Sequence, residues 1–506
     1  MQIGGYNMTS FKYRYLYLLQ ITLEAVSPLR IGNGEKGIRT DAPVLRDVNG
    51  LPFIPGTTLA GLLSHALDEE QKIRLMGNQK EGSRLIVTEA KLLGKDGRAL
   101  DGLVDKDSLT PENRSFLNHY ASLPIRQHVR IDHRGTAEKA GKFDEEIVPK
   151  GSRFCFEIEL AEWIPQNEDK IPTGKKDIDA LLSIIRSPAF RVGSGTRSGF
   201  GETAIVRSKY RQLDLDNPVD MDLYLSKSSK IGDPWKGWKE MEHEEKKEED
   251  VADIGNWTRY ELVLRPEDFL LFGSGARDSE GGADMTYVHE TCIKWDDNGA
   301  GSVFVQDEAF IPVSSFKGAL AHRTAFHYNR LAKVFIQRQE DRTYKIVRKD
   351  HSGETTDDMN TVDEVTGNGN PAVRAIFGSA GKKNTDTGKL EGKSRGNILI
   401  SDGSGLGGSP KVLHHVSIDR FTGGAIDGAL FQEQVIFARG NEIPLNIWVT
   451  DEAIADGNVR EAFESALDDI VSGMLPLGGG VNRGNGIFTG TVKKFNKETK
   501  VWETLS

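Results

Sequence analysis

Two glycine-rich stretches carry the residue types that could bind a phosphate. Residues 191–203 are RVGSGTRSGFGET, and residues 477–486 are LGGGVNRGNG. Closely spaced glycines allow backbone N–H groups to approach an anion, and a neighbouring arginine can add a charge-assisted hydrogen bond. The alternative is a tight turn with arginines that face solvent. The candidate phosphate ligands are Gly193, Gly195 and Arg197 in the first stretch and Gly479, Gly480 and Arg483 in the second.

The sequence context of these loops argues against a nucleotide cofactor. A dinucleotide fold needs G-x-G-x-x-G between a strand and the helix that follows it. Ser198 takes the third glycine position after Gly193 and Gly195, and both loops follow a predicted helix and precede a predicted strand. No G-x-x-x-x-G-K-[ST] motif occurs in the sequence. We therefore expect any bound phosphate to belong to a nucleic acid backbone.

Net charge does not exclude such a partner. The 506 residues carry a formal charge of −10, but residues 212–255 hold 13 acidic and 6 basic residues and leave only −3 for the rest. The acidic segment has the composition of a solvated linker or an exposed helix. Two cysteines are too few for a zinc site or a disulfide framework, and no apolar run is long enough for a membrane helix. We expect a cytoplasmic protein without a membrane partner.

The chain contains an internal repeat on either side of the acidic segment. Several blocks recur in the same order, which is a signature of duplicated units. The matched blocks are FIPGTTLAGLLSHAL at 53–67 with FIPVSSFKGALAHRT at 310–324, LMGNQ at 75–79 with IFGSA at 376–380, HVRID at 128–132 with HVSID at 415–419, FDEEIVPKG at 143–151 with FQEQVIFARG at 431–440, and the two glycine loops.

Each copy predicts the order strand, helix, strands, helix, strand. This is the ferredoxin-like order of an α+β fold, shared with RRM-type RNA binders. We expect one domain over 1–211, an acidic linker over 212–256 and a second domain over 257–506, with a polar insertion at about 333–395 that we expect to be a loop. The first helix of each copy should begin at an N-cap hydroxyl, for which the candidates are Thr57, Thr58, Ser314 and Ser315.

Four motifs resemble the RAMP superfamily. They are the glycine loops, the stretch DAPVLRD…GLPFIPGTTLAG, the block MG…RLIVTEA and the segment VSIDRFTGGA. More narrowly, the chain is similar to the backbone (group seven) subunits of type III CRISPR effector complexes. Two such domains in one chain resemble the double-domain subunits of the type III-D branch.

The resemblance implies that the chain binds a CRISPR guide RNA, and a β-hairpin thumb in each domain interrupts the guide–target duplex. A loop aspartate in the family supports metal-dependent cleavage of the complementary target RNA, and it matches Asp41, which would bind Mg²⁺ or another divalent cation. Asp284 lies at the matching place in the second copy, although the Pro-Val-x-Arg-Asp motif is absent there. The alternatives are a scaffold subunit without catalysis and an endonuclease that processes the guide.

The resemblance also implies partners and RNA contacts. The partners would be guide RNA, target RNA and other RAMP subunits of an antiviral ribonucleoprotein. Helix N-termini attract phosphate, so the four hydroxyl residues at the helix starts are candidate backbone contacts. Besides the glycine loops, the further candidates are His65 and His322 in the first helices, Lys317 in the second copy, and Arg130, Arg134 and Arg420 in the thumbs.

Overall fold

The computed structural model contains two repeats, defined here as residues 13–214 and 257–504, each built around an antiparallel sheet. Among the described residues, no helix is long and apolar enough to cross a membrane. The structure describes residues 13–37, 40–105, 107, 109–131, 136–163, 172–241, 255–274, 282–297, 299–338, 340, 344–350, 353–359, 362–383, 390–403 and 405–505.

The first repeat opens with a long strand whose residues alternate between two faces. Tyr17, Leu19 and Ile21 lie on the face that forms the first core and are fully buried. In chain order the elements are β1 (Tyr13–Ala25), α1 (Gly56–Ala66), α2 (Glu69–Met76), β2 (Leu85–Val87), β3 (Lys91–Leu92), α3 (Pro111–Ala121), β4 (Ile125–Ile131), β5 (Ala137–Glu146), β6 (Arg153–Trp163), α4 (Gly174–Ile185) and β7 (Thr203–Asp214).

The first sheet has its opening strand in the middle. β1 pairs with β6 on one side and with β7 on the other, and β2 extends the sheet beyond β6. The apolar stripe of α4, which includes Ile178 and Leu181, is buried in the same core as Leu59 and Leu63 of α1. The two helices therefore cover one face of the sheet.

Part of the segment expected to be a linker is packed against the other face of this sheet. α5 (Pro218–Leu225) follows β7, and β8 (Lys239–Glu240) pairs with β7 at the sheet edge. Trp235, only 9% exposed, lies against Leu16 and Leu18 of β1. The linker prediction is therefore corrected for residues 212–241, whereas residues 242–254 lie outside the described residues.

The second repeat repeats this order with additions. Its elements are β9 (Trp257–Pro266), β10 (Phe269–Leu270), β11 (His289–Trp295), β12 (Gly301–Ala309), α6 (Val313–Leu331), β13 (Val334–Arg338), β14 (Tyr344–Asp350), β15 (Gly353–Met359), α7 (Asp363–Thr366), α8 (Pro371–Phe377), β16 (Lys382–Lys383), β17 (Leu390–Glu391), β18 (Ile398–Ile400), β19 (Ser409–Ile418), β20 (Ala425–Phe437), β21 (Ile443–Thr450), α9 (Gly457–Val471), β22 (Phe488–Asn496) and β23 (Val501–Thr504).

The second sheet has the same strand order as the first. β9 lies between β21 and β22, and β18 extends the sheet beyond β21. α6 and α9 pack against each other and bury Phe316, Leu320, Phe463 and Leu467 in the second core. Both repeats are thus mixed α/β units with antiparallel sheets.

The insertion at 333–395 contains regular structure rather than a loop alone. β13, β14 and β15 form a separate three-stranded sheet. α8 belongs to the repeated fold, because Ala372 and Ile376 are buried in the second core. The glycines that follow α2 and α8, Gly77 and Gly378, have similar φ values of 78° and 82°, so α8 corresponds to α2 and the three-stranded sheet lies in the added segment before it.

An arm from the second repeat packs into the first. The arm is the hairpin β11–β12. Ile293 is 4% exposed within the first core, and Cys292 forms a parallel bridge with Lys150. Trp295 Nε1 donates a hydrogen bond to the Gly151 carbonyl oxygen over 2.7 Å. The two repeats are therefore interlocked.

Candidate nucleic-acid interface

A β-hairpin projects from each repeat where a thumb was expected. The first hairpin is β4–β5 and the second is β19–β20. The second hairpin is largely exposed although it carries apolar side chains, and Phe421 in its turn is 98% exposed. The turn is held by Asp419 Oδ1, which accepts hydrogen bonds from the Phe421 and Thr422 amides at 2.8 Å each. A rigid turn therefore presents an aromatic ring to solvent.

Asp41 lies at the root of the first hairpin. Its Oδ2 accepts a hydrogen bond from the Asp144 amide at 3.3 Å, and its own amide donates to Asp144 Oδ1 at 2.9 Å. Ala42 forms a parallel bridge with Glu145. Asp41 is exposed, so its carboxylate is held in place by β5 and remains open to solvent.

Asp284 lies at the root of the second hairpin in the same way. Its Oδ2 accepts a hydrogen bond from the Gln432 amide at 3.0 Å, and Met285 forms a parallel bridge with Glu433. Gln432 corresponds to Asp144 in the aligned hairpin strands. The structure therefore places both predicted aspartates at equivalent positions, with a second carboxylate beside Asp41 and a carboxamide beside Asp284.

Each hairpin root contains a histidine stacked on a phenylalanine. The rings of His128 and Phe143 are 4.9 Å apart with an interplanar angle of 15°. The rings of His415 and Phe431 are 4.8 Å apart with an angle of 22°. Burial, helped by the charges of Arg126 and Arg30, lowers the pKa of His128 to about 4, so this ring is neutral at neutral pH.

A buried glutamate accompanies each stack. Glu145 and Glu433 are 4% and 1% exposed. Glu145 Oε1 is 2.7 Å from Arg30 Nη1, and Glu433 forms an ion pair with Arg483. Burial raises the pKa of Glu145, and the nearby Arg30 charge acts in the opposite direction. An arginine thus neutralises the buried carboxylate at both roots.

The glycine loops have the same backbone in both repeats. Each contains a 3₁₀ turn, Thr196–Ser198 or Val481–Arg483, between glycines in the left-handed region. Gly193 has a φ of 88°, and an added Cβ would overlap the Arg30 carbonyl oxygen. Gly193 is therefore needed for close packing inside the protein, and the predicted contact of the loop glycines with phosphate stays a prediction.

The arginine in the first loop contacts the second repeat. Arg197 Nε donates to the Gly396 carbonyl oxygen at 2.8 Å, and its guanidinium lies 5.2 Å from the Trp257 ring. Lys317 Nζ donates to the Arg197 carbonyl oxygen at 3.1 Å. Burial lowers the pKa of Arg197 to about 10 and that of Lys317 to about 8. Both predicted RNA ligands therefore take part in the contact between the repeats.

The arginine in the second loop is committed to the second hairpin. Besides its ion pair with Glu433, the Arg483 guanidinium lies 5.9 Å from the Phe431 ring. Its side chain is 38% exposed, so a phosphate could approach it only from the solvent side. Arg197 is therefore not the solvent-facing side chain that a simple turn would carry, whereas Arg483 is partly exposed.

The helix starts differ from the prediction. α1 and α6 follow Pro55 and Pro312, and neither N-cap position makes a side-chain hydrogen bond. The hydroxyl side chains lie in the first helical turn rather than at the N-cap, so the capping prediction is wrong. Thr57, Ser314 and Ser315 are exposed and Thr58 is half-buried.

The remaining predicted RNA contacts are spread over the surface. His65 lies in the last turn of α1, His322 lies in α6, and both are exposed. Arg130 in β4 and Arg420 in the turn of the second hairpin are also exposed. Arg134 lies outside the described residues. Their roles in RNA binding stay predictions.

Arg126, which the sequence analysis did not single out, joins the first hairpin to the second repeat. Its guanidinium forms ion pairs with Glu290 and Asp402 and lies 4.9 and 4.7 Å from the rings of Phe200 and Phe310. The side chain is 6% exposed. Burial alone would lower the pKa of Arg126, but the two carboxylates outweigh it and raise the pKa.

The carboxylates at the hairpin roots are the residues that could hold the predicted metal. Among the described residues, no group of three or more His, Cys, Asp or Glu side chains could hold a metal. Mg²⁺, however, is commonly bound through one or two carboxylates, with water and substrate phosphate as the other ligands. The exposed Asp41 with Asp144 beside it fits that kind of site, and Asp284 with Gln432 supplies one carboxylate.

Comparison with known proteins supports the division into two repeats. A family model described as RAMPs, the RAMP superfamily, matches residues 22–204 and 297–489. No curated protein matches the chain. One matching chain comes from a structure described as "Type III-B Cmr-beta Cryo-EM structure of the Apo state", with 14% identity, a TM-score of 0.29, and coverage of 37% of this chain and 97% of that chain.

Proposed function

The chain belongs to the RAMP superfamily, whose model matches both repeats, and from this premise we propose that it is a backbone subunit of a type III CRISPR effector. In this role it binds guide RNA, positions the complementary target RNA and cleaves it. Each repeat is a ferredoxin-like RAMP domain, a proposal supported by the shared strand order. A double-domain chain of this kind fits the type III-D branch.

The observation that carries the proposal is the duplicated hairpin root. In each repeat an aspartate carboxylate accepts a hydrogen bond from the backbone of the hairpin that projects beside it. A hairpin that separates bases bends the strand at its root, and a carboxylate held at that root lies where the bent strand passes. The same contact in both repeats supports one cleavage position per repeat.

The chemistry uses the nucleophile that RNA itself provides. The 2′-OH attacks the adjacent phosphorus, the P–O5′ bond breaks, and the leaving 5′ oxygen takes a proton from water, so that a 2′,3′-cyclic phosphate and a 5′-OH end are formed. Asp41 and Asp284 accept the proton of the attacking hydroxyl or orient the hydroxyl. The hairpin supplies in-line alignment by separating the neighbouring bases. A bound Mg²⁺ would stabilise the charge that develops on the phosphate oxygens.

The partners follow from this role. Guide and target RNA contact the hairpins of both repeats, and the exposed Arg130 and Arg420 lie on those hairpins. Base pairing, rather than the protein, selects the target. Further RAMP subunits complete a ribonucleoprotein in the cytoplasm.

Cleavage of labelled target RNA by the assembled complex tests the proposal. The complex is loaded with guide RNA, supplied with Mg²⁺ and assayed with Asp41→Asn, Asp284→Asn and the double variant. Each single variant should lose one cut and keep the other, and the double variant should bind target RNA without cutting it. Asp179→Asn, in an exposed ion pair with Lys175 on α4, is the matched control. If both cuts persist in the double variant, the chain is a scaffold without catalysis.

A further inference from the structure

The buried glutamates at the hairpin roots have no role in the proposed cleavage. Glu145 and Glu433 are 4% and 1% exposed. A buried carboxylate costs free energy unless it is paired. Its presence at the same position in both repeats therefore needs a physical reason.

The two repeats neutralise this carboxylate from different parts of the chain. In the first repeat the partner is Arg30, whose carbonyl oxygen accepts from the Ser194 amide of the glycine loop at 2.8 Å. At the equivalent position the second repeat has Leu271, whose carbonyl oxygen accepts from the Gly479 amide at 2.6 Å. The partner of Glu433 is instead Arg483. Both repeats thus contain a buried Arg–Glu ion pair, but the two arginines come from non-equivalent positions.

The glutamates lie next to the backbone amides that donate hydrogen bonds to the aspartates. Glu145 and Glu433 form the parallel bridges with Ala42 and Met285, the residues after Asp41 and Asp284. The amides that hold the two aspartates belong to residues 144 and 432, which immediately precede the glutamates. Movement of the strand at the glutamate would therefore move the amide that holds the aspartate.

We infer that Glu145 and Glu433 are positioning residues for Asp41 and Asp284. The buried Arg–Glu pair fixes the hairpin strand against the aspartate loop, so that the amides of residues 144 and 432 stay directed at the carboxylates. The arginines act through the glutamates, and Arg483 serves the second hairpin rather than phosphate. The expected effect on cleavage rests on the proposed function, whereas the expected effect on the position of the aspartate side chains does not.

Two measurements on the second repeat test this inference. The variants are Glu433→Gln, Arg483→Met and Arg483→Lys, of which the last keeps a positive charge beside Glu433. The first readout is hydrogen exchange of the Gln432 amide in the full chain. The second is the rate of each cut in the assembled complex. Glu442→Gln is the control, because Glu442 is 59% exposed and pairs with Arg265.

Arg483→Met and Glu433→Gln should speed exchange at Gln432 by about tenfold. The same variants should slow the Asp284 cut by about tenfold through kcat, with unchanged KM and an unchanged Asp41 cut. Arg483→Lys should keep both closer to the wild-type values. Since Arg483 is partly exposed, its variant keeps the test valid if Glu433→Gln does not fold.

Unchanged exchange at Gln432 in Arg483→Met, or faster exchange in Arg483→Lys equal to that in Arg483→Met, would overturn the inference. If exchange changes as expected while the wild-type complex cuts at neither position, the positioning role stands and the proposed function fails. Loss of both cuts in Arg483→Met also counts against it, because the effect would not be confined to one root.

Discussion

Trp295 of the second repeat donates a hydrogen bond to the carbonyl oxygen of Gly151 in the first, at 2.7 Å. The same ring lies 4.3 Å from the Arg153 guanidinium, and Ile293 on the same strand is buried in the first core. The arm therefore ties the stability of one repeat to the other. Because of this, we expect the described repeats to unfold in one transition.

Trp295→Ala should destabilise the protein by about 3 to 5 kcal/mol, since it removes a large packed side chain. It should also separate urea unfolding into two transitions, because the repeats lose a shared contact. Trp163→Ala is the control, as Trp163 is 44% exposed in the first repeat. A single unfolding transition in Trp295→Ala would show that this contact does not couple the repeats.

Arg126→Met should cost about 3 to 5 kcal/mol of unfolding free energy. The variant keeps the length of the side chain but leaves Glu290 and Asp402 buried without their cation. Arg98→Met, at a position whose side chain is 81% exposed, should change stability by less than about 0.5 kcal/mol. Chemical denaturation of the full chain measures both. A loss at Arg126 no larger than at Arg98 would contradict the proposed strength of this contact.

Gly486→Ala should destabilise far more than Gly484→Ala. Both glycines have positive φ, 76° and 90°, so both variants carry the backbone strain of about 1 kcal/mol or more. Only at Gly486 would the added Cβ also overlap the Leu477 carbonyl oxygen. Thermal unfolding of the two variants separates strain from overlap, and similar Tm values would refute the packing role assigned to Gly486.

His128 should make the protein sensitive to acid. Its pKa of about 4 in the folded state lies below the ordinary value of 6.5. As the pH falls from 6.5 to 4, the unfolded chain takes up a proton that the folded chain does not, so stability is lost. Between pH 7 and pH 5, the free energy of unfolding of His128→Gln should fall by roughly 1 to 2 kcal/mol less than that of the wild type. His414→Gln, at an exposed position, should lose as much as the wild type.

Phe421→Ala should weaken binding of the guide–target duplex and leave the free energy of unfolding unchanged. The ring is 98% exposed, so its removal costs no packing, whereas stacking on a base contributes about 1 to 3 kcal/mol. Under the proposed function, the affinity for the guide–target duplex should fall by about tenfold. Val48→Ala, at a position 79% exposed outside the hairpins, is the control. An unchanged affinity would show that Phe421 does not contact the bases.

The repeated architecture could be predicted from the sequence because the recurring blocks are local and ordered. Strand and helix periodicity predicted β1, α1, α4 and α9, in which buried residues recur at fixed spacing. The hairpins also lie where the blocks HVRID and HVSID predicted them. The packed part of 212–241 was missed because its few aromatic residues lie among many acidic ones.

The pairing of side chains across the two repeats could not be predicted. Arg126, Glu290 and Asp402 are far apart in sequence, and only the folded chain brings them together. The equivalence of the two glutamates could be predicted from the sequence, because FDEE and FQEQ place Glu145 and Glu433 at the same position of the repeat. The arginine partners of these glutamates could not be predicted, since Arg30 and Arg483 come from different segments.

The contact between the repeats joins unlike surfaces. The first repeat contributes its hairpin root and glycine loop, and the second contributes its arm and the edge near β18. Two repeats joined through different surfaces are arranged head to tail, so the pair has a direction that a symmetric pair lacks. Under the proposed function the partner is an RNA strand, which also has two different ends, so the molecule can lie along it in two non-equivalent senses. The order of the repeats in the chain therefore gives the 5′ and 3′ sides of a bound strand different neighbours.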